Sequence, residues 1–264
     1  MALSPLRRAY RGLRLRLPQP WSVAVGRIAY LPKLAAGDAA TRREFTEELL
    51  IERLLATGDD LEHVGAGLSE RVVEVPWAMR ALPDEATARI LDAGTAFAPV
   101  VYKRLLVRLP QAVELVDLAD PDLPMLRSHV ADLRSLPFES GSFDVAMCVS
   151  TLEHVGMDNE QYGVSGGGRG DVAALAELGR VARRVILTVP AGGDADLGSH
   201  VQYAPSTLRR LVSEAGLRVL RFDVFAHNAR DGWTLAPEDA VAACHYGVGS
   251  VAAAAVICAE LAGD

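Results

Sequence analysis

Residues 131–155 read ADLRSLPFESGSFDVAMCVSTLEHV. The stretch holds a short polar loop, an apolar run from Asp144 to Ser150, and a turn with a glutamate and a histidine. An apolar run of about four to eight residues bounded by turn signals is typical of a buried strand. Glu153 and His154 follow this strand, at the edge where ligands bind in open parallel sheets. The segment therefore predicts a strand that delivers acid–base side chains to a site.

Other apolar runs occur on both sides of this strand, and helical patterns separate several of them. The predicted strands are Arg89–Ala93, Val113–Leu118, Ser128–Ala131, Asp144–Ser150, Arg184–Val189, Leu217–Phe225 and Val251–Leu261. The clearest helical patterns between them are Asp171–Ala182 and Pro205–Ala215. Strands that alternate with helices predict an α/β fold with a doubly wound, mainly parallel, seven-stranded sheet.

The first quarter of the chain has helical character instead. The spacing of leucines predicts a helix from Asp38 to Thr57 that ends at Gly58, and a second short helix over Leu61–Gly67. We therefore divide the chain into an N-terminal arm and helical cap, residues 1–70, and a ligand-binding domain, residues 71–264. Five arginines alternate with leucines in the arm, at positions Arg7, Arg8, Arg11, Arg14 and Arg16. A solvated arm, a subunit contact in a homodimer and a contact with an anionic surface all fit this pattern.

Composition narrows the class of partner. The net charge is −7, whereas proteins that bind nucleic acid backbones usually carry a basic excess, so we expect no nucleic-acid partner. No stretch reaches about 18 continuous apolar residues, and no membrane span is predicted. Cys148, Cys244 and Cys258 are far apart and odd in number, which favours reduced thiols in a cytoplasmic protein.

Two further strand ends carry the pattern of a nucleotide site. The strand that ends at Ala93 runs into a turn of small residues, Gly94 and Thr95, where backbone amides can approach a ligand closely. The next strand ends in Asp117, and a carboxylate at this place accepts hydrogen bonds from ribose hydroxyls in doubly wound folds. The neighbouring Asp120 is an alternative for that role, and a solvated loop start is the plain interpretation.

The stretch from Asp132 to Val155 resembles class I S-adenosylmethionine-dependent methyltransferases. In that family an Asp-x-x-x-Leu-Pro-Phe segment precedes a Ser-Phe-Asp-Val strand, which ends in a Leu-Glu-His turn. Here these pieces are Asp132–Phe138, Ser142–Val145 and Leu152–His154. The resemblance covers roughly Glu74 to Phe225 and implies a Rossmann-like methyltransferase fold, with residues 71–264 as the cofactor-binding domain.

Several shorter pieces resemble a branch that acts on glycans and natural products. They are Glu74-Val75-Pro76-Trp77, Glu153-His154-Val155-Gly156, Tyr162-Gly163, Gly170-Asp171 and Gln202-Tyr203. The branch implies a small-molecule or oligosaccharide acceptor, with methylation of a sugar hydroxyl preferred. N- or O-methylation of a secondary metabolite is the alternative within the same class.

The resemblance also implies residues that hold S-adenosylmethionine. Asp92, Ala93, Gly94 and Thr95 would line its methionine half, and Ser150 would lie near the sulfonium. Asp117 would hold the ribose, while Leu118, Asp132 and Leu133 would surround the adenine.

The turn that follows the strand Arg89–Ala93 departs from the family pattern at two positions. Ala96 and Ala98 occupy places where the family typically has glycine, and alanine adopts a positive φ only at a cost. A non-catalytic module that kept the fold is therefore a competing hypothesis. A nicotinamide-dependent oxidoreductase is another, although it would need a Gly-x-Gly-x-x-Gly turn that is absent here.

His154 is the candidate general base, since an oxygen acceptor needs a group that takes its proton. A role in packing or capping the turn is the plain alternative. Glu153, Asp158 and Asp171 are candidates for orienting the histidine, binding the acceptor or holding a divalent ion such as Mg²⁺. For Asp171, which precedes an apolar helix, an N-cap is the alternative.

Aromatic side chains suit sugar rings, so four residues are candidates for the acceptor pocket: Trp77, Tyr162, His200 and Tyr203. For each of them, packing in the core is the competing interpretation. The glycine-rich segment Ser165–Gly170 is a candidate lid over the acceptor or a plain connector.

Overall fold

A computed structural model describes Ala35 and residues 37–247 and 251–263 of the chain. The arginine-rich arm lies outside the described residues, so its three interpretations stay open. None of the helices in the described part of the chain combines the length and the apolar character that crossing a bilayer requires.

The centre of the molecule is one sheet in the order β3-β2-β1-β4-β5-β10-β8-β9. Its strands are β1 (Arg89–Ala93), β2 (Ala112–Asp117), β3 (Arg127–Val130), β4 (Phe143–Val149), β5 (Ala182–Pro190), β8 (Leu217–Asn228), β9 (Gly232–Leu235) and β10 (Ala255–Gly263). Strands β1 to β5 pair in parallel, whereas β10, β8 and β9 pair antiparallel at one side. A separate two-stranded ribbon joins β6 (Ala195–Asp196) and β7 (Val201–Gln202).

The α/β, doubly wound, mainly parallel fold is confirmed, but the predicted number of seven strands is wrong. The additional strand is β9, which pairs antiparallel with β8. The four residues of β9 show no alternation of apolar and polar side chains that would mark a strand. Pairing with β8, and not a local pattern, makes this segment a strand. The last predicted strand also starts late, at Ala255 instead of Val251.

Five helices are described: α1 (Ala39–Thr57), α2 (Arg71–Arg80), α3 (Val100–Arg108), α4 (Asp171–Val181) and α5 (Pro205–Glu214). Asp38 caps α1 by accepting a hydrogen bond from the Ala40 amide (3.3 Å), and Gly58 ends it in the left-handed conformation, as predicted. The predicted helix over Leu61–Gly67 is wrong. Val64 there exchanges backbone hydrogen bonds with Trp233 of β9, so a tertiary bridge replaces the local turn.

Alternate residues of the central strands feed two separate cores, as the two faces of a sheet require. On one face, Ile90 and Val145 pack with apolar side chains of α1, α2 and α3. On the other face, Leu91 and Ala146 pack with apolar side chains of α4 and α5. Both faces are thereby covered, and the strands read as continuous apolar runs for that reason.

The chain leaves β1 toward β2 on one side and returns to β4 on the other. The crevice at the carboxyl ends of β1 and β4 is therefore the topological switch point, where open α/β sheets bind ligands. Gly94 follows β1, and Ser150 follows β4, so both lie at this crevice.

A buried ion cluster ties α1 to α3. The guanidinium of Arg104 is fully buried, donates to Glu48 at 2.9 Å and also pairs with Glu52. Burial raises the pKa of Glu52, although Arg104 opposes that shift. The division into an arm and cap over residues 1–70 and a domain from residue 71 stays a prediction, and Arg104 shows that α1 is firmly attached to the larger part.

Arg104→Met should lower the free energy of unfolding by about 3–5 kcal/mol, because it leaves two carboxylates in the interior without their cation. Arg210→Met is the matched control, since Arg210 forms an exposed pair with Glu214 and should cost less than about 0.5 kcal/mol. Guanidinium denaturation followed by circular dichroism measures both. Equal losses in the two variants would show that the buried cluster does not hold α1.

Candidate functional site

The turn after β1 lies directly against the turn after β4. Gly94 has a φ of +97°, and a Cβ placed on it would lie 2.0 Å from Oγ1 of Thr151. Its amide donates to the carbonyl oxygen of Val116 at 3.0 Å, which joins the turn to β2. Glycine is required here both for the backbone conformation and for the close approach.

The side chain of Asp92, near the end of β1, stabilises this turn. Its side chain is 1% exposed and accepts hydrogen bonds from the hydroxyls of Thr95 and Tyr102. Burial raises the pKa of Asp92 to about 6, against the effect of those two hydrogen bonds. Thr95 is itself fully buried. The carboxylate therefore faces the protein and shapes the loop whose backbone faces the crevice.

Asp117 lies at the end of β2, beside the same turn. Its Oδ2 accepts from the Ala96 amide at 2.6 Å. Burial and the neighbouring Asp117 carboxylate raise the pKa of the Tyr162 phenol, and the Tyr162 ring meets Phe97 edge-on at 4.8 Å. The loop after β4 thus brings Tyr162 to the carboxylate that the sequence marks for a ribose.

The residues that follow β2 and β3 include both apolar and charged side chains. Leu118 is 43% exposed, whereas Leu133 is buried in the core. The carboxylate of Asp132 is bound by the backbone and the guanidinium of Arg134, which lowers its pKa. Leu118 is thus free to pack on a ring, while an adenine amino group would share Asp132 with Arg134.

The turn after β4 is strained at Ser150, which has a φ of +46° without being glycine. Such strain is retained where the surroundings hold it, frequently at functional sites. The Ser150 amide donates to the carbonyl oxygen of Thr188 at 2.9 Å, and its hydroxyl donates to Oε1 of Glu153 at 2.7 Å. Glu153 is only 2% exposed, and burial raises the pKa of its carboxyl group.

His154 follows Glu153 and keeps 38% of its side chain exposed. Its Nδ1 lies 2.8 Å from the carbonyl oxygen of Ser199. A carbonyl oxygen only accepts, so Nδ1 carries the proton and Nε2 of the neutral ring has a free lone pair. Nε2 lies 4.0 Å from Oε1 of Glu153. This is the arrangement of an oriented base with an acidic neighbour.

A cavity of about 50 Å³ opens beside these residues, at the carboxyl ends of β4 and β5. Its lining includes Glu70, Arg71 and Glu74 around α2, Ser150, Glu153 and His154 after β4, Pro190 of β5, and His200, Tyr246 and Ala253. His200 stands between the two other rings, 5.4 Å from His154 and 4.3 Å from Tyr246, and burial lowers its pKa.

Three of the four predicted acceptor residues lie outside this cavity. Trp77 is buried and donates its indole N–H to Asp223 of β8 at 2.7 Å. Tyr203 is fully buried, and its hydroxyl lies 3.4 Å from Asp171. His200 does line the cavity, and Tyr162 lies at Asp117 instead. Trp77 and Tyr203 follow the competing interpretation, packing in the core.

The predicted metal site finds no support. Among residues 35, 37–247 and 251–263, no group of three or more histidine, cysteine or acidic side chains is arranged to hold a metal. Asp158 accepts from the Gly166 amide, and Asp171 pairs with Arg169. Asp171 is the first residue of α4 and not its N-cap, since Gly170 precedes the helix in that place.

Sequence reasoning missed the contribution of α2 to the cavity. Glu70, Arg71 and Glu74 are charged residues within the apolar run that ends at Trp77. Residues four apart share one face of a helix, so Glu70 and Glu74 were recognisable as a pair of carboxylates in an otherwise apolar element. Tyr246 gives no such signal, because it lies in an irregular segment far along the chain.

A family model described as "Methyltransferase domain" matches residues 106–164. The matched segment holds β2, β3, β4 and the turn with Glu153 and His154. This match supports an S-adenosylmethionine-dependent methyltransferase. No curated protein matches the sequence of this methyltransferase.

Solved structures share its fold. The [4+2]-cyclase SpnF is similar with a TM-score of 0.52 and 13% identity, over 81% of this chain and 91% of that chain. A 1,6-didemethyltoxoflavin-N1-methyltransferase from Burkholderia thailandensis, with bound S-adenosylhomocysteine, has a TM-score of 0.46 and 16% identity, over 94% and 92% of the two chains. A TehB-like methyltransferase from Corynebacterium glutamicum has a TM-score of 0.44 and 18% identity, over 81% and 94%.

Gly94→Ala should destabilise the methyltransferase by about 2–5 kcal/mol. About 1–2 kcal/mol comes from the left-handed backbone, and the remainder from the clash with Thr151. Gly141→Ala isolates the first term, because Gly141 has a φ of +67° and open space around its Cβ position. Thermal and chemical denaturation compare the two, and equal losses would contradict the close contact between the turns.

Proposed function

We propose that the methyltransferase methylates a hydroxyl group of a sugar or oligosaccharide, with His154 as the general base. The hydrogen bond from Nδ1 of His154 to the Ser199 carbonyl oxygen carries this proposal, because it leaves Nε2 as the acceptor atom of a ring that lines a polar cavity beside the switch point. A small-molecule acceptor fits an enzyme of this class, and the glycan branch of the resemblance supports the choice of a sugar.

The residues present fit S-adenosylmethionine. The positive φ of Gly94 turns the chain at the end of β1, and the buried Asp117 offers a carboxylate at the end of β2. The exposed Leu118 offers an apolar surface for the adenine. When bound, the cofactor supplies a methyl group on a positively charged sulfur. Asp92, Ala93 and Thr95 would support its methionine half, and Asp132 with Leu133 would border the adenine.

His154 would take the proton of the acceptor hydroxyl as the oxygen attacks the methyl carbon. The new bond joins that carbon to the acceptor oxygen, and the electron pair of the broken bond stays on sulfur. A neutral hydroxyl is a weak nucleophile, and a positioned base typically contributes about 10²–10⁴-fold to such a step. Glu153, held by Ser150, would stabilise the imidazolium that forms.

Tyr162 would act at the cofactor side of the crevice. A hydrogen bond within the loop that carries Tyr162 closes that loop, since the Gly167 amide donates to the carbonyl oxygen of Gly156 at 3.1 Å. A closed loop excludes water from the transfer. Tyr162 beside Asp117 therefore supports a loop that covers the ribose end of the cofactor more than the acceptor.

The proposal includes a cytoplasmic location and a homodimer. Cys148, Cys244 and Cys258 are free thiols, which fits a reducing compartment. The subunit contact rests on the sequence pattern of the arginine-rich arm alone.

Asp117→Asn should weaken binding of S-adenosylhomocysteine by about tenfold or more, because a charge-assisted hydrogen bond to the ribose contributes about 1.5–3 kcal/mol. Asp120→Asn is the control, since Asp120 is an exposed carboxylate three residues away and should leave the affinity unchanged. Isothermal titration calorimetry measures both, with NAD⁺ as a ligand that should not bind. A larger loss in the Asp120 variant would move the ribose role to that residue.

His154→Asn should lower kcat by about 10²–10⁴-fold and leave the affinity for S-adenosylhomocysteine unchanged. Transfer of a tritiated methyl group to a panel of neutral and amino sugars measures the rate. His63→Asn is the control, because His63 is exposed and asparagine tolerates its positive φ. An unchanged rate in the His154 variant would remove the general base, and transfer to no sugar by the wild type would refute the sugar acceptor.

A further inference from the structure

The acceptor cavity is lined by more negative than positive side chains. Glu70, Glu74 and Glu153 contribute three carboxyl groups, and Arg71 contributes one guanidinium. All three carboxyl residues are at least nine-tenths buried, with exposures of 8%, 0% and 2%. Arg71 donates to Oε2 of Glu74 at 3.0 Å. Although burial lowers the pKa of its guanidinium, Glu74, Glu70 and Glu153 raise that pKa above its usual value, so one cation serves all three carboxyl groups.

One oxygen of each carboxylate is left over. Within the part of the chain that the structure describes, Oε2 of Glu70, Oε1 of Glu74 and Oε2 of Glu153 have no hydrogen-bond partner. An unsatisfied buried polar group is destabilising, and more so when it is charged. Burial accordingly raises the pKa values of Glu74 and Glu153. The Thr188 hydroxyl lies close enough to Glu74 to lower its pKa, so Glu70 and Glu153 hold the two oxygens with the clearest need of a donor. Buried acceptors around one space favour a ligand that donates several hydrogen bonds.

We propose that this cavity binds a protonated amino group of the acceptor, so that the substrate is an amino sugar or a similar amine-bearing polyol. This inference rests on the proposed function and narrows its acceptor class. An ammonium group has three N–H donors and one positive charge, which match three acceptor oxygens and an excess of carboxylates. A neutral hydroxyl has one donor and would leave two of the oxygens unsatisfied.

The size of the cavity fits a substituent and not a whole ring. Pockets for drug-sized ligands measure about 300–1,000 Å³, whereas a cavity that holds a single water needs about 10–15 Å³. A cavity of about 50 Å³ therefore accepts one small group. Because Glu153 and His154 both line it, the amino group would lie near the hydroxyl that is methylated.

Calorimetry on the full chain saturated with S-adenosylhomocysteine tests the charge preference directly. The probes are glucosamine, glucose and N-acetylglucosamine, of which only the first carries a positive charge. We expect glucosamine to bind at least tenfold more tightly than both neutral sugars. Glu70→Gln and Glu74→Gln should each remove most of that preference, whereas Glu238→Gln should keep it, because Glu238 lies in an exposed pair with Arg209.

Equal affinities for the three sugars, or no binding of glucosamine, would overturn the amino-group site. A preference that survives in both glutamine variants would overturn it as well, and Glu70→Gln serves alone if loss of the Arg71 pair unfolds Glu74→Gln. Failure of the proposed function looks different. Methyl transfer to neutral sugars without any preference for glucosamine would keep the sugar O-methyltransferase and reject the amine, whereas transfer to no sugar would reject the function itself.

Discussion

A hydrogen atom in place of a side chain at Gly94 lets the turn after β1 lie against Thr151 in the turn after β4. That contact brings the ends of two adjacent parallel strands together at the switch point of the sheet. Asp117 bonds to the first turn through Ala96, and Ser150 begins the second. The cofactor side and the acceptor side of the site therefore share one rigid junction, and a side chain at position 94 would separate them.

Two clusters of buried charged residues, one around Arg104 and one around Arg71, differ in their surroundings. Arg104 forms ion pairs with two carboxylates of α1, Glu48 and Glu52. In the cavity, Arg71 meets Glu74, while Glu70 and Glu153 each keep an oxygen to which the described residues offer no hydrogen bond. Nε of Arg104 also lacks a hydrogen-bond partner among the described residues, so neither cluster is fully satisfied. The first cluster joins two helices, whereas the second places three unpartnered carboxylate oxygens in the lining of a cavity.

The strands and the turns that follow β1 and β2 could be predicted because their signals are local. Each buried strand is a continuous apolar run, and Gly94 and Asp117 directly follow such runs. The acceptor side could not be predicted in the same way, since it is assembled from α2, the turn after β4 and segments near residues 200 and 246. Trp77 and β9 make the same point, because a partner distant in the chain decides where each of them lies.

The charge of the cavity also bears on how His154 works. Removing a proton from a hydroxyl places a positive charge on the imidazole, and a cation beside it would oppose that step. Arg71 and one bound ammonium group would be two cations beside three carboxyl groups. Glu153, 4.0 Å from Nε2, places one of these carboxyl groups next to the ring. The excess of carboxyl groups thus allows one cavity to hold an amine beside the histidine that receives the proton.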